Sequence, residues 1–227
     1  MTPNSFTFAR RFRDFHIIPL LFKRHRMRIL LLYFFCIMAF AGYGQQKDIP
    51  VSISIFNEAT AIPFTRLVTT PIHPGIQVGT EWDYHVKAHS RLFQTANLQY
   101  YYHRYLCQGV GISSELGLEH RFSGGFSIAG LFGLGYMHTF TTAEEFVFEN
   151  GTYTQKGDAG TGRLTTSLAI DLSYSLHKMD AHGTRFFLRY QPWLEYPFSP
   201  GFIPVMTHIN LHAGVKLFLH ATASPNE

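Results

Sequence analysis

Long runs that alternate between apolar and small polar residues dominate the chain from Val51 onward. In residues 164–176, for example, Leu, Ile and Tyr occupy one parity, while Thr, Ser, Ala and Asp occupy the other. A period of two places these two classes on opposite faces of a β-strand. Helical periodicity appears nowhere after residue 44. We therefore predict an all-β fold for this part of the chain.

Turn-forming residues divide the alternating region into eight segments. The predicted strands are 51–57, 74–87, 92–106, 109–122, 125–141, 163–177, 184–196 and 206–219. Several reach the ~9–11 residues of a tilted membrane strand, whereas strands in soluble domains have about 5–6 residues. The predicted inner turns, 88–91, 123–124 and 178–183, are short.

The composition of the two faces indicates which one is inside. The polar face is rich in Gly, Ser, Thr, Asn and Gln, and among the lysines after residue 44 only Lys216 lies inside a predicted strand, away from its ends. A water-facing sheet would carry more Lys and Glu. Aromatic residues gather at strand ends, where they suit a membrane interface. We predict a closed antiparallel up-and-down transmembrane β-barrel of about eight strands. In a soluble, lipocalin-like barrel the apolar face would instead point inward.

Residues 1–44 have the layout of a leader. A basic cluster precedes the apolar run 29–41, and small residues follow it, as in a secretory signal peptide. Met27 is an alternative start. We expect 1–44 to be a leader or signal peptide and 45–227 to form a single exported barrel domain. Cys36 lies in the leader, so Cys107 is left alone and no internal disulfide is expected.

The net charge of +4 comes from the leader. Seven of the 19 basic residues and one of the 15 acidic residues precede residue 29, which leaves 12 basic and 14 acidic residues in the rest. A nucleic-acid partner is not expected, because it would need a basic face on the folded domain.

The last predicted strand resembles the sorting signal of outer-membrane barrels. The matching residues are His212, Gly214, Leu217 and Leu219, although residues 220–227 follow them. Segments 71–75, 92–97 and 133–138 also resemble a group of small Gram-negative outer-membrane barrels. The resemblance covers about residues 50–219 and implies a fold and a location, but no defined activity. It implies two partners: outer-membrane lipid and the barrel-assembly machinery during insertion.

The predicted inward face carries charges of both signs. The expected interior network is Glu81, Asp83, Glu115, Glu119, Arg121, Arg163, Asp171, Arg189, Glu195 and Lys216, with the polar partners Asn97, Gln99, His103, Gln191, Asn210 and His212. An eight-stranded barrel is just wide enough for side chains to fill it. The network therefore predicts a plug of ion pairs, and a narrow pore is the alternative.

Histidines next to hydroxyl residues raise an enzymatic alternative. His120 with Ser123 and His138 with Thr139 could contribute to acyl transfer on lipid A, which uses a nucleophile, a base and an acid. Neither pair has a carboxylate at the expected spacing, so we predict no catalytic residues. His208 and His212 would lie ~13 Å apart on a strand. No metal site and no cofactor is therefore predicted.

Function is then expected in the outer loops. The longest, 142–162, contains the hairpin signal Asn150-Gly151. Its candidate residues are Glu144, Glu145, Phe146, Phe148 and Tyr153. Loops 58–72 and 197–205 are secondary. We expect an unknown extracellular ligand or protein as the partner of these loops, and strands five and six to continue outward as a ribbon.

Overall fold

The computed structural model describes residues 48–65, 70–142, 146–149, 151–155, 157–176, 183–199 and 202–220. The predicted leader, Glu144, Glu145 and Asn150 lie outside these residues. The described residues form ten strands: β1 Asp48–Ala59, β2 His73–Val86, β3 Ser90–Tyr102, β4 Cys107–Arg121, β5 Phe126–Thr141, β6 Phe146–Glu149, β7 Thr152–Gln155, β8 Thr161–Ser175, β9 Arg185–Tyr196 and β10 Met206–His220.

Eight of these strands form one closed barrel. Every neighbouring pair is antiparallel, and β1 pairs with β10 to close the sheet. The barrel strands have 12 to 16 residues, and β6 and β7 form a separate two-stranded sheet. The predicted eight-stranded antiparallel barrel is confirmed. The predicted ribbon is this separate sheet and not a direct continuation of β5 and β8.

The two barrel faces differ sharply in chemistry. Outward-facing residues such as Ile55, Leu118, Phe132, Leu168 and Leu188 are more than half exposed. Nearly all of the buried charged side chains point inward. This distribution is the reverse of a soluble barrel and matches one whose outer surface contacts lipid. No helix among the described residues is long and apolar enough to cross a membrane.

The third predicted strand is too long. It was expected to reach residue 106, but β3 ends at Tyr102 and residues 103–106 form a tight turn. The His103 amide donates to the Cys107 carbonyl at 2.9 Å, and this bond closes the turn. Alternation continued across these residues, so their pattern did not reveal the break.

Trp193 corrects another expectation. It lies near a strand end, where aromatic residues are expected at the membrane interface, yet it points inward and is only 4% exposed. Its ring stacks on His208 with the centroids 4.1 Å apart, and its indole nitrogen donates to Asn210. Its parity in β9 is that of Arg189 and not that of Tyr196.

Inward-facing aromatic rings lie over glycines of the neighbouring strand. Phe93 is paired with Gly117, and Phe187 with Gly214. A Cβ added to either glycine would lie only 2.5 Å from the ring opposite. The missing side chain gives the ring its space, so apolar groups share the narrow interior with charged ones.

Candidate functional site

The inward charges are arranged in three layers along the barrel. We call the end that connects to β6 and β7 the loop rim, and the opposite end, where β1 begins and β10 ends, the termini rim. The structure places all ten residues of the predicted interior network on the inward parity. The side chains of eight of them are almost fully buried, whereas those of Asp83 and Arg121 are more exposed, at the termini rim.

Arg91 organises the layer at the termini rim. Its guanidinium donates to Glu81 at 2.7 Å, to Asp83 at 3.0 Å and to Glu119 at 2.9 Å. Lys216 also donates to Glu81, at 3.1 Å. Each charge of this layer therefore has an opposite charge beside it, as the buried ones require.

Arg189 organises the central layer. It binds Asp171 through two hydrogen bonds and Glu115 through a third at 2.8 Å. Gln191 donates to the other Glu115 oxygen at 2.6 Å and accepts from the His212 ring at 3.0 Å. This layer joins strands β4, β8, β9 and β10 across the barrel axis.

A histidine between two glutamates marks the layer at the loop rim. His208 Nδ1 is 2.7 Å from Glu58 Oε1, and Nε2 is 3.0 Å from Glu195 Oε1. Carboxylates accept hydrogen bonds, so both ring nitrogens act as donors in this arrangement. Arg163 donates to the same Glu195 oxygen at 2.7 Å.

Two further histidines lie beside Glu58. The rings of His73 and His103 stack with centroids 3.5 Å apart, and a nitrogen of each ring is 3.9 Å from Glu58 Oε2. Both histidines are 7% exposed. Burial lowers the pKa of His103 although the Glu58 charge opposes the shift. These three residues offer ligand atoms that all lie within 4.8 Å of one another.

The sheet of β6 and β7 presents aromatic side chains to solvent. Phe146, Phe148 and Tyr153 are 55%, 61% and 71% exposed, and the rings of Phe148 and Tyr153 lie 5.0 Å apart. Phe148 and Tyr153 are cross-strand partners. The turn between the strands includes Gly151, whose positive φ of 82° suits glycine.

The outward-facing histidines do not form the catalytic set considered above. Within the described residues, His138 contacts Tyr136 and the Ala159 carbonyl, whereas Thr139 points inward and donates to the Thr161 carbonyl. His120 packs against Phe122 and His89. Among the described residues, neither of these two outward-facing histidines forms a hydrogen bond with a carboxylate.

The sorting-signal residues lie in β10. His212 is buried inside the barrel, and Leu217 and Leu219 face outward. Gly214 lies beneath the Phe187 ring. Their role in sorting stays a prediction.

Sequence reasoning missed several inward residues because they fall at strand boundaries. Glu58 and His73 lie one residue beyond the predicted ends of strands one and two, and Arg91 was assigned to a turn. The available signal was parity, since Ser54 and Phe56 point inward and Glu58 continues their row. His208 was considered only as a partner for His212.

No family model matches the chain, and no curated protein matches it. Solved structures with a similar fold include the outer membrane enzyme PagL, with 12% identity, a TM-score of 0.43, and coverage of 74% of this chain and 98% of that one. Neisserial surface protein A has 9% identity, a TM-score of 0.43, and coverage of 75% and 95%. Ail of Yersinia pestis has 12% identity, a TM-score of 0.40, and coverage of 76% and 100%. No residue role or activity transfers at these values.

Proposed function

We propose that this chain is an integral outer-membrane protein whose filled barrel anchors a binding surface outside the cell. The leader directs export, the barrel-assembly machinery inserts the barrel, and outer-membrane lipid surrounds it. The sheet of β6 and β7, together with its flanking loop, contacts an extracellular ligand or protein.

The distribution of charge between the two barrel faces carries the proposal. The inward face holds salt-bridged arginines and glutamates, and the outward face holds large apolar side chains. An apolar surface of this extent is stable only when lipid covers it, because its exposure to water would be energetically costly.

The filled interior supports anchoring over conduction. Arg189 on β9 reaches across the barrel to Glu115 on β4, and Arg91 on β3 pairs with acidic residues of the neighbouring strands β2 and β4. Met137, Phe93 and Tyr101 take up further space inside and are 1% exposed or less. These contacts leave the loops as the part of the protein that is free to recognise a partner.

The sheet of β6 and β7 supports binding at the surface. Its exposed aromatic rings combine a large contact area with little conformational freedom, which suits recognition. Each strand pairs on one side only among the described residues, so a partner could add a strand to the open edge. Loop 142–162 is acidic in sequence, with Glu144, Glu145, Glu149 and Asp158 against Lys156. This charge favours a basic partner.

Protease accessibility on intact cells tests the orientation. We expect added proteinase K to cut within 142–160 and to leave two fragments that remain together in the barrel. Cutting only after the outer membrane is permeabilised would place this loop on the periplasmic side and would overturn the proposal.

A ribbon deletion tests the binding role. Replacing 146–155 by a short Gly-Ser linker should leave a heat-modifiable barrel, since the barrel network does not use these residues.

Cells that produce the Phe148→Ser/Tyr153→Ser variant should lose binding to immobilised glycans and basic proteins that the unaltered chain retains. Phe122→Ser is the matched control, because Phe122 is 53% exposed at the termini rim, away from the candidate loops. Equal losses with the control, or none with the ribbon variant, would contradict the proposal.

A further inference from the structure

We infer that Glu58, His73 and His103 form a binding site for one transition-metal ion, Zn²⁺ being the best fit, inside the loop rim. This inference goes beyond the proposed surface binding and does not depend on β6 and β7. The three residues come from the end of β1, the start of β2 and the turn after β3. Antiparallel pairing brings these ends together, and Glu58 is the direct cross-strand partner of His73.

Among the described residues, two atoms of this cluster have no hydrogen-bond partner. They are Glu58 Oε2 and His73 Nε2, and both are buried. Glu58 is completely covered, so an oxygen without a partner there is costly unless something binds it. A metal ion would bind a carboxylate oxygen and an imidazole lone pair at the same time.

The orientation of His73 supports ligation. Its Nδ1 lies 3.2 Å from the Glu58 carbonyl oxygen, so Nδ1 carries the proton and donates. The lone pair is then on Nε2, the nitrogen without a partner. Metal-binding histidines commonly donate their other nitrogen to a carbonyl or carboxylate in this way.

Glu58 is also held in place by neighbouring groups. Its Oε1 is bound by His208, which is in turn held by Glu195. The Oε2 atom lies 3.9 Å from His73 Nδ1 and 3.9 Å from His103 Nε2, so the His73 ring has to turn before Nε2 and Oε2 can bind the same ion. Arg163 faces this layer through Glu195 and offsets part of its negative charge.

His103 must change its contacts when the metal binds. Its Nδ1 now accepts a 3.2 Å hydrogen bond from the Tyr105 amide. Ligation through Nε2 shifts the ring proton to Nδ1 and releases that bond. The stacked rings also have to turn, because lone pairs of parallel rings do not converge on one point. Binding is thus coupled to the turn 103–106.

The donor set selects the class of ion. Two imidazoles and one carboxylate are the protein ligands of many Zn²⁺ sites, which keep a fourth position open. Imidazole also suits Cu²⁺ and Ni²⁺, whereas Mg²⁺ and Ca²⁺ prefer oxygen ligands. The site lies at the loop rim, where the side chains of both histidines are 9% exposed.

Zinc titration of the purified, untagged full chain tests the site. The protein is extracted in detergent, stripped with a chelator and titrated with Zn²⁺ by calorimetry in excess Mg²⁺, which saturates residual anionic lipid. We expect a stoichiometry of one Zn²⁺ per chain. In NMR spectra, the amide signal of Tyr105 should shift when Zn²⁺ is added. Co²⁺ should give the visible absorption of a four-coordinate site.

Single variants locate the ligands. His73→Ala and His103→Ala should each weaken Zn²⁺ binding at least about tenfold. His138→Ala is the matched control, because His138 lies near the same rim but faces outward, and it should leave affinity unchanged. Heat-modifiability on a gel shows whether each barrel is folded, and if His73→Ala fails to fold, His103→Ala in the turn decides. Three results would overturn the inference. They are no Zn²⁺ binding by the unaltered chain, undiminished Zn²⁺ binding by a folded His103→Ala variant, and an equal loss of Zn²⁺ affinity in His138→Ala.

Discussion

The Arg189 guanidinium and the Asp171 carboxylate form a bidentate pair in the middle of the barrel. Nε–Oδ1 is 2.6 Å and Nη2–Oδ2 is 2.9 Å. The two residues are direct cross-strand partners on β8 and β9. Both side chains are almost fully buried, so water does not hydrate their charges. The hydrogen bonds between the two side chains take the place of that hydration.

Breaking this pair should be costly. Arg189→Leu leaves Asp171 and Glu115 without their arginine, and we expect a loss of about 3–5 kcal/mol in the free energy of unfolding. Arg189→Leu/Asp171→Leu should cost less than the sum of the two single variants, because no lone Asp171 charge remains. Equilibrium unfolding in detergent micelles measures all three variants.

Arg121→Leu is the control for this series. Arg121 pairs with Glu119 near the termini rim and is partly exposed. Its loss should cost less than about 1 kcal/mol. Strict additivity of the Arg189 and Asp171 variants would show that the two side chains do not stabilise each other.

Filling the space beneath Phe93 should also destabilise the barrel. The added Cβ of Gly117→Ala would lie 2.5 Å from the ring, and overpacking of this kind costs about 1–3 kcal/mol. Gly130→Ala is the matched control, because nothing lies within 4 Å of its Cβ position. Denaturant unfolding should separate the two variants. Equal stability would mean that the ring moves aside freely.

The alternating pattern was sufficient to predict the barrel and most strand bounds. Each strand contributes its own period-two signal, and eight such strands have few ways to pair. The fifth strand, predicted as 125–141, is Phe126–Thr141 in the structure. Alternation failed where the chain turned without a glycine or proline, as it does at His103.

The pairing of the interior charges was beyond the sequence. Parity places Glu58, His73 and His208 on inward rows, but their contacts depend on the register between strands and on barrel closure. His208 and Glu58 are 150 residues apart and are brought together only because β1 pairs with β10. The space that Gly117 leaves for the Phe93 ring likewise depends on which residue lies opposite the glycine.

The barrel should not conduct ions. The central layer spans the interior through Arg189, Glu115 and Gln191, so a hydrated ion would have to break buried ion pairs to pass. In planar lipid bilayers, the purified chain should give no stepwise current, while a porin measured in the same bilayers serves as the positive control. Reproducible single-channel steps would instead support the narrow pore.

Asp158 should give the loop between β7 and β8 an acid-sensitive contact. Its carboxylate accepts hydrogen bonds from the Gly160 amide at 2.7 Å and from the Thr141 hydroxyl at 2.9 Å. The Gly160 amide, followed by that of Thr141, lowers the pKa of Asp158 below its ordinary value. The stabilisation is therefore complete above about pH 4 and is lost as the pH falls through the lowered pKa. The effect should be small because Asp158 is exposed. The Gly160 amide proton shift should titrate with a midpoint below the ordinary aspartate value, and Asp158→Asn should abolish this titration. A midpoint at or above the ordinary value would show that these hydrogen bonds do not hold the carboxylate.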